Sequence, residues 1–370
     1  MMLRPSSAAA LLTVTLLAAT AFPLAATDII GKISYLEGTV EIARDGESLS
    51  RSRVKEGLEL QNFDVVKTGL DGEAEVRVSA PMSPASTIRV APSTQFALEI
   101  GRMGSKQQTS VSLLIGTVTV KCAKLTGVQG MRVQTDTAVM GIRGTSFTVT
   151  APASGDILVT CDEGEVECVD EDGNTERAKP GEVVEKLRDQ RFLRLPMDVS
   201  NLDQFKRKWM IERVSALKAN ALNAITHFAK IYNRLMFQFD KDFAELDVSK
   251  IKTLVERWKQ EDRSGITGSE AARIMEREEL WGPLTRLRGT LVVLERIYPR
   301  LGELKEYHDQ GFGRGLIVYD EKHHETTTIF FGRFERDRRD LERKMMRVRL
   351  VARLFAARNE GMVPWGATDE

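Results

Sequence analysis

From Asp28 to Leu195 apolar and polar residues alternate in short runs, broken every ten residues or so by Gly, Pro, Asp, Asn or Ser. Thr39-Val40-Glu41-Ile42, Ala74-Glu75-Val76-Arg77-Val78, Thr87-Ile88-Arg89-Val90, Gly116-Thr117-Val118-Thr119-Val120 and Asp156-Ile157-Leu158-Val159-Thr160 are examples. Period-two alternation with β-branched residues predicts strands that bury one face. Gly164-Glu165-Val166 and Gly181-Glu182-Val183 repeat the earlier Gly38-Thr39-Val40. In each, a glycine completes a turn at positive φ and valine restarts the strand. The repetition suggests stacked β units, and two architectures fit: a β-sandwich, and a short β-roll or solenoid.

The texture changes after Pro196. Ser200-Asn201-Leu202-Asp203 resembles a capping box. Beyond it Met210, Val214, Leu217, Ala221, Ile225, Phe228, Tyr232, Leu235, Phe239, Phe243 and Leu246 recur at spacings of three and four. This stripe predicts one helix of about 65 Å, at 1.5 Å per residue, which needs partner helices beside it. Leu284, Leu287, Leu291, Leu294, Tyr298 and Leu301 supply a second stripe, with a kink expected at Pro299. Phe334, Leu341, Met345, Val348, Ala352 and Phe355 supply a third. Shorter helices are expected around Ile251 to Trp258 and Ala271 to Leu280. Gly311 to Gly315 reads as a plain turn, because it lacks the preceding strand and following helix of a phosphate-binding loop. The chain is therefore predicted to be multidomain, with a signal peptide at 1–26, an all-β domain at 27–195 and an elongated α-helical bundle at 196–370.

The signal-peptide reading rests on Arg4, the apolar run Ala8 to Ala21 and the small residues closing at Ala26. A run of about 14 residues falls short of the roughly 20 that span a bilayer, so cleavage near Ala26 and export to the periplasm or cell surface are expected. Hydrophobic residues make up 42% and charged residues 29% of the 370, which excludes wholesale disorder. A formal net charge of zero removes any global argument for nucleic acid, and none is expected as a partner. Cys122, Cys161 and Cys168 fit no zinc spacing. Cys161 and Cys168 flank a turn; buried free thiols are favoured over a disulfide between them.

Candidate chemistry is sparse. No G-x-S-x-G run is present, and His323-His324 with Glu321 and Glu325 lack the spacing of a metal site. His227 and His308 have no suggestive sequence partner. No catalytic, cofactor-binding or metal residue is assigned, and the chain is not expected to be an enzyme. From Arg333 to Arg358 ten Lys or Arg residues face four acids. Arg333, Arg336, Arg339, Arg343 and Arg347 form a candidate patch for an anionic partner, including peripheral contact with a membrane. The simpler reading is a solvated face whose arginines pair with acids on neighbouring helices.

At Thr135 to Val149 the sequence T-D-T-A-V-M-G-I-R-G-T-S-F-T-V resembles the FecR domain, whose signature is a Thr-Pro-x-Ala segment running into x-R-G-T-x-F-x-V. Supporting pieces follow the family's order: Gly38-Thr39-Val40, then Asn62 to Gly69, then Ile88 to Thr94, then Asp162 to Val166. Together they cover about Ile29 to Val184. Asp136 stands where the family usually has Pro, and Asn62 replaces the Gly before Asp64. The motif maps onto Thr135, Ala138, Arg143, Gly144, Thr145 and Phe147. Gly144 is expected at a backbone conformation closed to residues with a Cβ, Arg143 to tie loop carbonyls, and Phe147 to point inward, so the run reads as architecture.

The best-known FecR proteins relay outer-membrane transporter occupancy to a cytoplasmic sigma factor, so the resemblance implies an envelope protein that senses or binds. Cleavage near Ala26 would leave no cytoplasmic arm. The leading expectation is thus an exported, non-catalytic binding or scaffold protein recognising an envelope protein or polysaccharide, its helical half extending it or forming a homo-oligomer. A FecR-type transmembrane regulator of a sigma factor is the alternative, and an envelope enzyme the second alternative.

Overall fold

A computed structural model describes residues 29–44, 47–78, 85–103, 106–123, 130–142, 144–188, 190–264, 269–359 and 362. The signal-peptide reading and Arg143 lie outside them. A β-rich region is followed by a helical one.

The strands form two layers around one core. The first layer runs Glu59–Gln61, Ile29–Glu37, Glu73–Val78, Ser86–Val90, the second half of the long strand Lys106–Cys122, Ser146–Ala151, Ile157–Glu163, Glu182–Lys186 and Leu193–Pro196. The second runs Glu47–Ser48, Val40–Arg44, Val65–Thr68, Gln95–Met103, the first half of the long strand, Gly130–Gln134, Ala138–Ile142, Val166–Asp170 and Thr175–Ala178. Nearly all pairings are antiparallel; Gly130–Gln134 runs parallel to the long strand. The chain passes back and forth between the two layers, which share one core. Alternation does what period two predicts: Ala74, Val76 and Val78 point inward while Glu73 and Arg77 stay in water. Ile33, Ile42, Val66, Phe96, Val118 and Phe147 fill the space between.

The long strand changes layers at Gly116, whose φ is +102°. A Cβ there would lie 2.3 Å from Thr94 Oγ1 and 2.5 Å from Thr94 Cα. Thr94 Oγ1 in turn accepts the Thr117 N–H at 2.9 Å, and the Thr94 N–H donates to Thr68 Oγ1 at 2.9 Å. Thr68 and Thr117 on separate strands, joined through Thr94 in the turn before Gln95–Met103, thus pin the crossover.

The helices are α1 (Leu202–Ala219), α2 (Ala221–Leu246), α3 (Ser249–Ser264), α4 (Glu270–Asp309) and α5 (Thr327–Arg358). The single long helix expected from Met210 to Leu246 is broken at Asn220, where φ is −109° and ψ 21°. Its two halves bury different faces. Trp209 of α1 packs on Leu158 and Val183 on the outside of the first layer, whereas Ile225, Phe228, Tyr232 and Phe239 of α2 enter the bundle. The expected capping box is also replaced: Asp198 accepts the Ser200 N–H at 2.8 Å and caps a 3-10 turn, and Asn201 makes no side-chain cap. The two helices expected at Ala271 to Leu280 and Leu284 to Leu301 are one, α4, which runs through Pro283 and Pro299. An interior proline costs about 3 kcal/mol. Leu280, Leu284, Leu287, Leu294 and Leu301 are fully buried along α4, each worth about 1.5–3 kcal/mol, so packing outweighs both prolines.

Candidate functional site

The motif residues form a corner of the β region. Thr135 Oγ1 accepts the Ala138 N–H at 3.1 Å, and the Thr135 N–H donates to the Ala138 carbonyl at 2.9 Å, closing the turn between Gly130–Gln134 and Ala138–Ile142. Gly144 sits at φ +67°. The Thr145 carbonyl accepts the Cys122 N–H at 2.9 Å, and Phe147 is buried between Val120 and Cys161 on the neighbouring strands. A Cβ at Gly164 would meet Thr145 Cγ2 at 2.7 Å and the Gly144 carbonyl at 2.9 Å, which accounts for the repeated glycine there. Thr135, Ala138, Thr145 and Phe147 are all buried.

Asp136, the departure from the usual proline, faces outward from the same turn. Its Oδ2 accepts from Arg300 Nη1 of α4 at 2.6 Å, and Arg300 is only 2% exposed. The Arg300 guanidinium and that of Arg188 also lie over the Phe228 ring of α2, 5.8 and 4.9 Å from its centroid. Burial alone would push the Asp136 carboxyl up, but Arg300, then Arg296 and Arg188, hold it below the usual carboxylate range. A second ionic anchor joins the regions on the outside of the second layer. Arg349 of α5 donates from Nη1 to Glu99 Oε1 at 3.1 Å and from Nη2 to Glu295 Oε2 at 2.7 Å. Helix α4 touches the long strand and α5 touches Val40–Arg44.

Beside this second anchor a cleft of about 120 Å³ opens between the regions. Ala43, Val65 and Leu114 line its sheet side, and Tyr298, Met345 and Met346 its helical side. Its charged neighbours are paired among themselves. Tyr298 donates its hydroxyl to Glu342 Oε1 at 2.6 Å and accepts from Arg338 Nε at 2.9 Å; Lys67 lies 3.9 Å from Glu41.

The candidate basic patch on α5 is distributed over several acids. Arg333 pairs with Glu325 at 2.7 Å, Arg343 with Asp340 at 3.1 Å and Arg347 with Glu256 at 3.7 Å. Arg336 and Arg339 are exposed and form no ion pair among the described residues. Cys122, Cys161 and Cys168 are buried free thiols. His308 is buried with Nε2 3.1 Å from Thr327 Oγ1, and His323 hydrogen-bonds Asp320 on the surface.

Sequence reasoning missed both ionic anchors and the cleft. The one local signal was Asp136 in a proline position; Arg349 was visible only as one more basic residue of the last helix.

No curated protein matches the chain. Two solved structures of a candidate anti-sigma factor from Parabacteroides distasonis ATCC 8503 are similar to parts of it. One is 17% identical over 38% of this chain and 62% of that chain, with a TM-score of 0.30. The other is 16% identical over 46% of this chain and 64% of that chain, with a TM-score of 0.26. The match therefore spans under two thirds of the length of either structure. The family model described as FecR protein matches residues 64–167, from the buried Asp64 through the Thr135 to Phe147 corner to the hairpin after Gly164, and the β-rich region of this chain carries a FecR domain.

Proposed function

We propose that the chain is an exported FecR-type regulator that acts by binding a protein partner in the cell envelope and relaying that state toward a sigma factor. The FecR match over residues 64–167 carries this reading. It moves sigma-factor regulation, ranked second from sequence in the form of a transmembrane regulator, ahead of a scaffold without a signalling role. The seam supports it further: two buried ionic anchors and a cleft connect the FecR domain to the helical region, so an event on one side can be felt on the other. In this reading the β and helical regions are two domains, and the helical one is the element that the FecR domain positions.

The test is deletion of the gene in its native host, followed by transcript comparison and complementation. Loss or constitutive expression of a set of transcripts that depends on one sigma factor is the expected result. An unchanged transcriptome, under conditions where the protein is abundant, sinks the regulatory reading. Crosslinking of the tagged chain in intact cells then identifies the protein that it contacts.

A further inference from the structure

We infer that the cleft between the second β layer and helices α4 and α5 is an anchor pocket, which takes one uncharged apolar side chain from an extended segment of a protein partner. This rests on the protein-binding reading above and specifies the chemistry of the contact.

Size comes first. At about 120 Å³ the cleft approaches the roughly 150 Å³ at which an apolar cavity accommodates a benzene-sized group, so a leucine or phenylalanine side chain is the matching scale. Ala43, Val65 and Leu114 give it an apolar floor, and Met345 and Met346 give it walls that adapt to either shape.

Charge decides the class. Arg349 is held by Glu295 and Glu99, Glu342 by Tyr298 and Arg338, and Lys67 is 3.9 Å from Glu41. A charged group entering would be desolvated among charges that are already paired, whereas an apolar group gives up no hydration of its own.

Backbone placement favours a peptide over a free small molecule. Ser48, which also lines the cleft, belongs to Glu47–Ser48, the outermost strand of the second layer. Among the described residues that strand pairs only with Val40–Arg44, so its other edge offers backbone groups to an arriving segment while the segment's side chain drops into the cleft.

The experiment uses the full mature chain with ¹³C-methyl methionine, the signals being assigned with Met345→Leu and Met346→Leu. It is titrated with N-acetyl-leucinamide and N-acetyl-phenylalaninamide, and with the lysine and aspartate analogues. Saturable shifts centred on Met345 and Met346 for the two apolar amides, at least tenfold weaker for the charged ones, are expected. Ala43→Phe fills the floor and should abolish them; the wild-type titration stands without that variant. No saturable shift, or equal response to the charged amides, overturns the proposal. So does tighter binding of isobutanol than of N-acetyl-leucinamide, which would mark a small-molecule site. Shifts driven by protein concentration alone would mark a second copy of the chain as occupant and overturn it too. A regulon that responds to gene deletion while the pocket stays silent removes this inference and leaves the regulatory reading standing.

Discussion

Asp136 and Arg300 lie 164 positions apart in the chain, and their side chains meet at 2.6 Å where the FecR motif turn touches α4. A residue that departs from the family's usual proline thus carries one of the two ionic contacts to the helical region. Both side chains are withdrawn from water; deleting Asp136 leaves the buried Arg300 guanidinium without its carboxylate, and deleting Arg300 leaves the Asp136 carboxyl with only Arg296 and Arg188, each loss costing about 3–5 kcal/mol. Asp136→Asn and Arg300→Met should each lower stability by that order in urea unfolding, and the double variant should fall well short of the sum. Equal and additive losses would show that the two residues act separately. The pair also sets an acid limit. Folding lowers the Asp136 pKa below its ordinary 3.8, so its stabilisation is fully present above about pH 4 and is lost as pH falls through the folded value. Unfolding midpoints of wild type and Asp136→Asn should therefore converge as the pH drops below 4.

What was legible in the sequence follows from range. Period-two alternation located the strands because each strand carries its own signal, and Thr68 and Thr94 fell in two of the segments that resemble the FecR domain. The crossover at Gly116 was not legible, since Lys106–Cys122 alternates as one strand although its halves serve two layers. The helical stripe from Met210 to Leu246 has the same period on both sides of Asn220, which hid the change of buried face. Trp209, the side chain that fixes α1 to the sheet, stood one position outside that stripe. The anchors were beyond reach for a different reason: Glu99 and Arg349 are 250 positions apart, and nothing local to either names the other.

Gly116 tests the crossover directly. Its φ of +102° disfavours any residue with a Cβ, and the added atom would sit 2.3 Å from Thr94 Oγ1, inside the threonine chain that holds the corner. Gly116→Ala should cost about 2 kcal/mol or more in denaturant unfolding. Gly173→Ala, at φ +79° with nothing within 4 Å of the new atom, isolates the backbone part of that effect. Equal losses at the two positions would mean that the Thr94 contact contributes nothing.

The thiols should be inert in the folded protein. Burial raises the Cys122 thiol, pushes Cys161 up to about 11 and pushes Cys168 up to about 12. The thiolate is the reactive form, so at pH 8 Cys161 and Cys168 hold it at about one part per thousand or less, and Cys122 is shifted in the same direction. Iodoacetamide should leave the native chain unmodified over a period in which the urea-unfolded chain takes up three labels. Rapid labelling of Cys161 or Cys168 without denaturant would show that the end of the sandwich around Gly164 opens readily.

His308 supplies a second pH dependence, of a kind opposite in origin to that of Asp136. Its Nε2 lies 3.1 Å from Thr327 Oγ1, which also accepts the Gly315 N–H; in the tautomer with Nε2 unprotonated, the threonine's hydrogen is directed to it. The contact ties the end of α4 to the start of α5. Burial lowers the His308 pKa below its ordinary 6.5, and the nearby Asp309 offsets this only in part, with Arg314 and Lys305 adding to the lowering. The unfolded chain therefore takes up this proton before the folded one does. Stability is highest when the ring is neutral and declines as pH falls from about 7 through 6.5 toward the folded value. His308→Gln can still accept from Thr327 but cannot titrate. Urea midpoints at pH 7.5 and 5.5 should differ clearly for wild type and much less for the variant, while Asp136→Asn leaves that interval unchanged. An equal decline in wild type and His308→Gln would place the sensitivity elsewhere in the molecule.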